Sequence, residues 1–209
     1  MNKKFSKVLG IAIVLCMVIG LAACGADTKT PKGATEAFLK NLQKGDIVKW
    51  EEQLSGRKLS GDEKKKIKKE FDKNPQEQFN RMKDFEFKII KTKEVKKNKE
   101  AEATVEFTTY DFVKVSQNMN KYFMKNLGEL KAMKEDKLNK TIDKRMKEEF
   151  KKADKKVKNK AKINLVYDKK KDEWKVVDVN RNYEFQDAIM GGYLTQQAQR
   201  SNNSQQQSK

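Results

Sequence analysis

Phe85-Glu86-Phe87-Lys88-Ile89 and Ala101-Glu102-Ala103-Thr104-Val105-Glu106-Phe107 alternate apolar with polar residues. A period of two sends successive side chains to opposite faces of a strand, so each run has one apolar face and one wet face. The charged stretch from Lys96 to Glu100 lies between them. Together they predict an antiparallel hairpin buried on one side. The pattern recurs downstream: Ala161, Ile163, Leu165 and Tyr167 alternate with polar residues, Asp168 to Asp172 make a turn, and Trp174 to Val179 return.

Upstream of the first hairpin the period becomes helical. Thr30-Pro31 reads as an N-cap with proline at the first helical position, followed by Ala34, Ala37, Phe38, Leu39 and Leu42 on one face. Gly45 is expected to end this helix as a left-handed cap. Asp46 caps a short helix with Ile47, Trp50 and Leu54 inward and Gly56 after it. Ser60 with Glu63 forms a capping box opening a lysine-rich helix anchored by Ile67 and Phe71. Asn74-Pro75 restarts a helix carrying Phe79 and Met82.

Between the hairpins, about residues 116–157, Met119, Tyr122, Phe123, Leu127, Leu130, Met133, Leu138, Ile142, Met146 and Phe150 recur every three or four positions. This predicts a helical insert, either one long helix or two broken near Glu135-Asp136. Its lysine-filled circumference is either a solvated side or a basic face for an anionic surface. Tyr183 to Leu194 predicts a closing helix. Beyond about Gln196, residues 196–209 are a glutamine, asparagine and serine tail with too little to bury, expected to be disordered.

Helices, hairpin, helical insert and second hairpin make an α+β domain, its helices packed on a curved antiparallel sheet. Ala34-Thr35-Glu36-Ala37-Phe38-Leu39 followed by Gly45-Asp46, and Glu173-Trp174-Lys175-Val176-Val177, resemble the opening helix and final strand of the nuclear transport factor 2-like (cystatin-like) cone, shared with ketosteroid isomerase. A narrower set is similar to a family of uncharacterised Gram-positive lipoproteins of this fold class. It comprises Ala103-Thr104-Val105, Thr109-Tyr110-Asp111-Phe112, Trp174-Lys175-Val176 and Ala188-Ile189-Met190-Gly191-Gly192. The similarity covers about residues 30–195. It implies a fold, and it implies no catalytic residue.

The N-terminus sets the compartment. Lys3, Lys4 and Lys7 precede the 14 largely apolar residues Val8 to Leu21. That length suits a signal-peptide core and falls short of the roughly 20 residues that span a bilayer. Leu21-Ala22-Ala23-Cys24 then resembles the bacterial lipobox. The resemblance implies that a peptidase recognises Leu21, Ala22 and Ala23, and that Cys24 carries diacylglycerol as the mature N-terminus. Two acyl chains anchor stably where one is marginal. The expected organisation is a lipoprotein signal peptide at 1–23, a tether at 24–32 and the α+β domain at 33–195. The expected location is the outer face of the cell membrane.

This processing bounds the chemistry. Cys16 would leave with the leader and Cys24 would carry lipid, so the mature domain holds no free thiol. The chain has 0 His, which removes the commonest general base and zinc ligand. No cofactor and no metal are expected. Removing Lys3, Lys4 and Lys7 from a net charge of +18 leaves +15. A basic exported chain suggests anionic lipid, wall phosphate polymer or an envelope protein as partner, and not nucleic acid.

Three constellations bear on catalysis and metal binding. Tyr110 and Asp111 could supply an isomerase-like oxyanion donor and base, yet adjacent strand positions face opposite ways. Asp168, Asp172 and Glu173 lack the alternating spacing and central glycine of a calcium loop, and three lysines sit among them. Gly191-Gly192 lacks the companions of a phosphate loop and reads as a helix C-cap. The candidate pocket lining is Phe87, Val105, Phe107, Leu165 and Trp174, which equally fit a packed core. The expected function is a non-enzymatic binding domain. Its alternatives are a small-ligand or isomerase-like pocket and a homodimer formed through the open sheet face.

Overall fold

The computed structural model describes residues 27–72, 76–153 and 156–206. Four antiparallel strands form one sheet in the order β1-β2-β3-β4: β1 (Glu86–Lys96), β2 (Glu100–Thr109), β3 (Val157–Asp168) and β4 (Glu173–Val177). The first hairpin has Phe87 opposite Phe107 and Ile89 opposite Val105, with a bulge between Ile89 and Lys91. The two hairpins join through β2 and β3, whose register runs unbroken from Glu100 opposite Val166 to Thr109 opposite Val157.

Among the described residues four helices precede the sheet: α1 (Pro31–Lys44), α2 (Ile47–Ser55), α3 (Gly61–Phe71) and α4 (Glu77–Lys83). Their ends follow the local chemistry. Thr30 Oγ1 accepts from Gly33 N at 3.0 Å and Asp46 accepts from Lys49 N at 2.9 Å. Ser60 and Glu63 cap each other reciprocally. Gly56 takes the left-handed conformation after α2, with φ 67°. Gly45 departs from expectation: it follows α1 in an extended conformation, φ −70°. Its small size serves packing instead, since a Cβ there would lie 3.1 Å from the Trp50 ring. Asn74-Pro75 lies outside the described residues.

Between the hairpins lie three helices rather than one or two: α5 (Phe112–Lys125), α6 (Leu127–Ala132) and α7 (Glu135–Ala153). The breaks fall at Asn126, which caps α5, and at Met133, which turns to an extended conformation. The insert starts at Phe112, earlier than expected, because Asp111 caps α5 by accepting from Lys114 N at 2.8 Å. The expected closing helix is divided into α8 (Tyr183–Ile189) and α9 (Tyr193–Gln206) by Gly191 and Gly192, both at positive φ. Gly192 N donates to Asp187 O at 2.9 Å, satisfying a terminal carbonyl of α8. The expected disordered tail is helical as far as Gln206, within α9.

The inner sheet face and the helices enclose the main core. Leu39 and Leu42 of α1, Phe85, Val105, Phe107, Leu165 and Phe185 are all buried there. Phe107 stacks edge-on against Phe85 and Phe185 at 5.6 and 5.8 Å. A second core forms inside the insert, where Phe112, Val115 and Met119 meet Ile142, Phe150 and Ala153. The apolar stripe of the insert therefore packs on itself and on Met82 and Tyr110, with lysines on its solvated side.

The outer sheet face is a charge ladder. Glu106 lies between Lys88 and Lys160, and Glu102 between Lys93 and Asn164. Lys162 reaches Glu102 at 3.3 Å. Opposite charges on neighbouring strands support the pairing, and lysines along edge strand β1 discourage sheet extension.

Candidate functional site

Leu21, Ala22, Ala23 and Cys24 lie outside the described residues. The pocket-lining candidates are placed, and they are core. Val105, Phe107, Leu165 and Trp174 are buried, and Phe87 packs half-buried against them. Of these, Trp174 borders a cavity of about 150 Å³ between α1, α2, β4 and the 3-10 turn Val179–Arg181, and the other four do not line it.

Ala34 and Phe38 of α1 give this cavity an apolar wall, and Trp174 and Val176 give it another. Gln53, Ser55 and Lys175 add polar groups. Gln53 Oε1 is buried with no hydrogen-bond partner. Two of its charged groups, Glu52 and Lys175, are already committed. Glu52 accepts from Leu59 N at 3.0 Å and pairs with Lys64 at 2.9 Å. Burial opposes the ionised form of Glu52, yet Lys64 and the Leu59 amide hold its carboxyl below the ordinary value. Lys175 is held by Asp168 at 2.5 Å and Glu173 at 3.5 Å. Burial would lower its ammonium, but these two carboxylates raise it instead. A lysine so pinned stays protonated and is a poor base or nucleophile.

The other constellations separate. Tyr110 and Asp111 diverge: the Tyr110 hydroxyl donates to Asp84 at 2.7 Å and accepts from Arg81 at 2.8 Å, while Asp111 serves as the cap of α5. Burial and the Asp84 carboxylate push the Tyr110 phenol up, keeping it neutral and donating. Asp168 and Asp172 are engaged by Lys175 and by Lys29 with Tyr167, respectively. Among the described residues no group of three metal-ligating side chains comes together.

Two buried polar clusters escaped the sequence reading. Arg81 bonds Glu77 at 2.6 Å and lies 5.0 Å over the Tyr110 ring. Glu149 is 2% exposed and takes Arg145 at 2.6 Å, Asn118 at 2.7 Å and Lys152 at 3.2 Å. Burial would raise its carboxyl, but these partners hold it below the ordinary value. Each cluster ties distant elements together: the first joins α4 to the end of β2, the second α5 to α7. Their local sequence is one charged residue among many, so no signal marked them.

Among the described residues no helix is long and apolar enough to cross a membrane. No protein-family model, curated protein or solved structure matches the chain.

Proposed function

We propose that this chain is a lipid-anchored extracytoplasmic lipoprotein whose domain is a non-enzymatic interaction module of the cell envelope, built on the nuclear transport factor 2-like cone. The lipobox at Leu21 to Cys24 supports the anchor. The packing of α1 against β1, β2 and β4 supports the cone. One observation carries the non-enzymatic reading: the space between sheet and helices, where a cone enzyme holds substrate, is filled by Phe85, Val105, Phe107 and Phe185, each at most 2% exposed. The homodimer alternative needs a continuous apolar outer sheet face, whereas Lys88, Lys93, Glu102, Glu106 and Lys160 run along that face and leave Val166 as its exposed apolar residue on β3.

A small-ligand reading is favoured by one feature, the partnerless Gln53 Oε1 beside the β4 cavity. A cavity of about 150 Å³ is below the usual range of roughly 300–1,000 Å³ for ligand pockets, so any occupant would be small.

Changing Cys24 to Ala should leave the unprocessed precursor and abolish metabolic fatty-acid labelling. Retained label in that variant would sink the anchor. Crosslinking in intact cells, followed by recovery of the acylated protein, should return a discrete envelope partner. Recovery of the protein with turnover of a small substrate would favour the pocket reading.

A further inference from the structure

We propose that the end of the sheet formed by the β1–β2 and β3–β4 turns is the surface on which the domain rests against an anionic lipid bilayer. The proposal rests on the anchor at Cys24, and the experiment below separates the failure of one from the failure of the other.

The geometry begins with topology. In an antiparallel meander alternate connections lie at opposite ends of the sheet, so the β1–β2 and β3–β4 turns share one end and the helical insert leaves from the other. Backbone hydrogen bonds clip that end together. Tyr167 N donates to Lys99 O at 2.9 Å, joining β3 to the first turn. Trp174 N donates to Thr28 O at 2.8 Å, and Lys29 pairs with Asp172 at 3.4 Å. The N-terminal segment therefore meets the domain at the hairpin end.

Reach follows from the sequence. Cys24 and Thr28 are four residues apart. At up to about 3.6 Å per residue that chain spans at most about 14 Å. A lipidated Cys24 would hold Thr28, and the turns beside it, within a short distance of the headgroups. The Debye length at physiological ionic strength is about 8 Å, so charges brought this close to the bilayer feel its surface potential.

Charge supplies the complement. Lys97 and Lys99 in the first turn, and Lys169, Lys170 and Lys171 in the second, are exposed and form no ion pair with any described residue. The acids nearby are engaged: Asp168 with Lys175, Asp172 with Lys29, and Glu100 with Lys96 at 2.8 Å. Lysines on short turns can approach anionic phosphates without burying any apolar surface. The rival surface is the insert, whose apolar stripe is already spent in its own core and whose root is at the far end of the sheet.

The acylated protein would be reconstituted on vesicles of phosphatidylcholine alone and of phosphatidylcholine with phosphatidylglycerol. Amine acetylation, read lysine by lysine by mass spectrometry, reports the contact. On the anionic vesicles at low salt, Lys97, Lys99, Lys169, Lys170 and Lys171 should label several-fold more slowly than exposed Lys65, Lys66, Lys140 and Lys144. High salt or neutral vesicles should remove the protection. Flotation with both vesicle types but equal labelling overturns the hairpin surface and leaves the anchor standing. Failure to float with phosphatidylcholine vesicles overturns the anchor and with it the proposed contact. Equal protection of the five lysines by soluble polyglycerol phosphate, without vesicles, overturns the bilayer as the occupant.

Discussion

Trp174 donates its backbone N–H to the carbonyl of Thr28 at 2.8 Å, stitching the segment before α1 to the edge of β4. The expected tether at 24–32 is thus partly folded structure from residue 27 onward. Thr30 holds this arrangement by capping α1. Thr30→Ala should cost about 1 kcal/mol, as loss of an N-cap usually does. Hydrogen exchange at the Trp174 amide should speed up in that variant. Unchanged protection there would mean that the stitch is independent of the cap.

Phe107 has no exposed surface and sits between the Phe85 and Phe185 rings. Phe107→Ala should destabilise by about 3–5 kcal/mol, the range for a buried phenylalanine truncated to alanine. Phe107→Leu should cost clearly less. Urea denaturation midpoints would measure both, and similar losses would argue against a tightly packed interior.

Glu149 is buried, while its partner Arg145 is about a third exposed, 31%. Removing one member of a fully buried pair costs roughly 3–5 kcal/mol, and water around Arg145 should reduce this to about 2 kcal/mol for Glu149→Gln. Because the folded carboxyl is held below its ordinary value, its contribution is complete above the unfolded pKa and fades as pH falls through the folded one. The destabilisation by Glu149→Gln should therefore shrink in acid, as denaturation at neutral and low pH would show.

Gly191 and Gly192 both sit at positive φ, where a side chain is strained by roughly 1 kcal/mol. Only at Gly191 does a Cβ also collide with backbone, 2.6 Å from Tyr110 O, whereas at Gly192 its nearest neighbour is 3.9 Å away. Gly191→Ala should therefore lower the melting temperature more than Gly192→Ala. Equal losses would mean that the helix break can shift to relieve the contact.

Glu63 bonds Arg57 and the Ser60 amide, and the Arg57 guanidinium foremost holds its carboxyl down to about 2. The group is depressed on folding, so its stabilisation is present above the ordinary carboxylate range and is lost as pH falls toward about 2. Glu63→Gln should flatten this part of the acid-stability profile. Helical content of α3 followed through an acid titration would reveal it.

The strand pairs and most caps were legible because their causes are local. Alternation in Ala101 to Phe107 fixes which side chains share a face, and Ser60 with Glu63 can bond only across one helical turn. The break at Met133 falls beside the interruption expected near Glu135-Asp136, whereas the one at Asn126 is not legible, since it carries no proline and the apolar spacing continues through it. Gly191-Gly192 was recognised as a cap, but the helix beyond it was not, because glutamine-rich sequence offers no buried face to predict one. Gly45 shows the opposite error: its type suggested a backbone conformation, and its surroundings required only the absence of a side chain.

The sequence by itself determined the α+β class, the two hairpins and the lipobox resemblance, because periodicity, turn chemistry and a contiguous motif act over a few residues. Tertiary structure alone decided the rest. It filled the expected pocket with Val105, Phe107 and Leu165, separated Tyr110 from Asp111, and buried Glu149 against Arg145 and Asn118. It also brought Thr28 to Trp174 and the lysines of both turns to one end of the sheet. Those outcomes depend on which distant segments meet. Burial and desolvation reward such meetings only once the sheet has registered β2 against β3 across the insert.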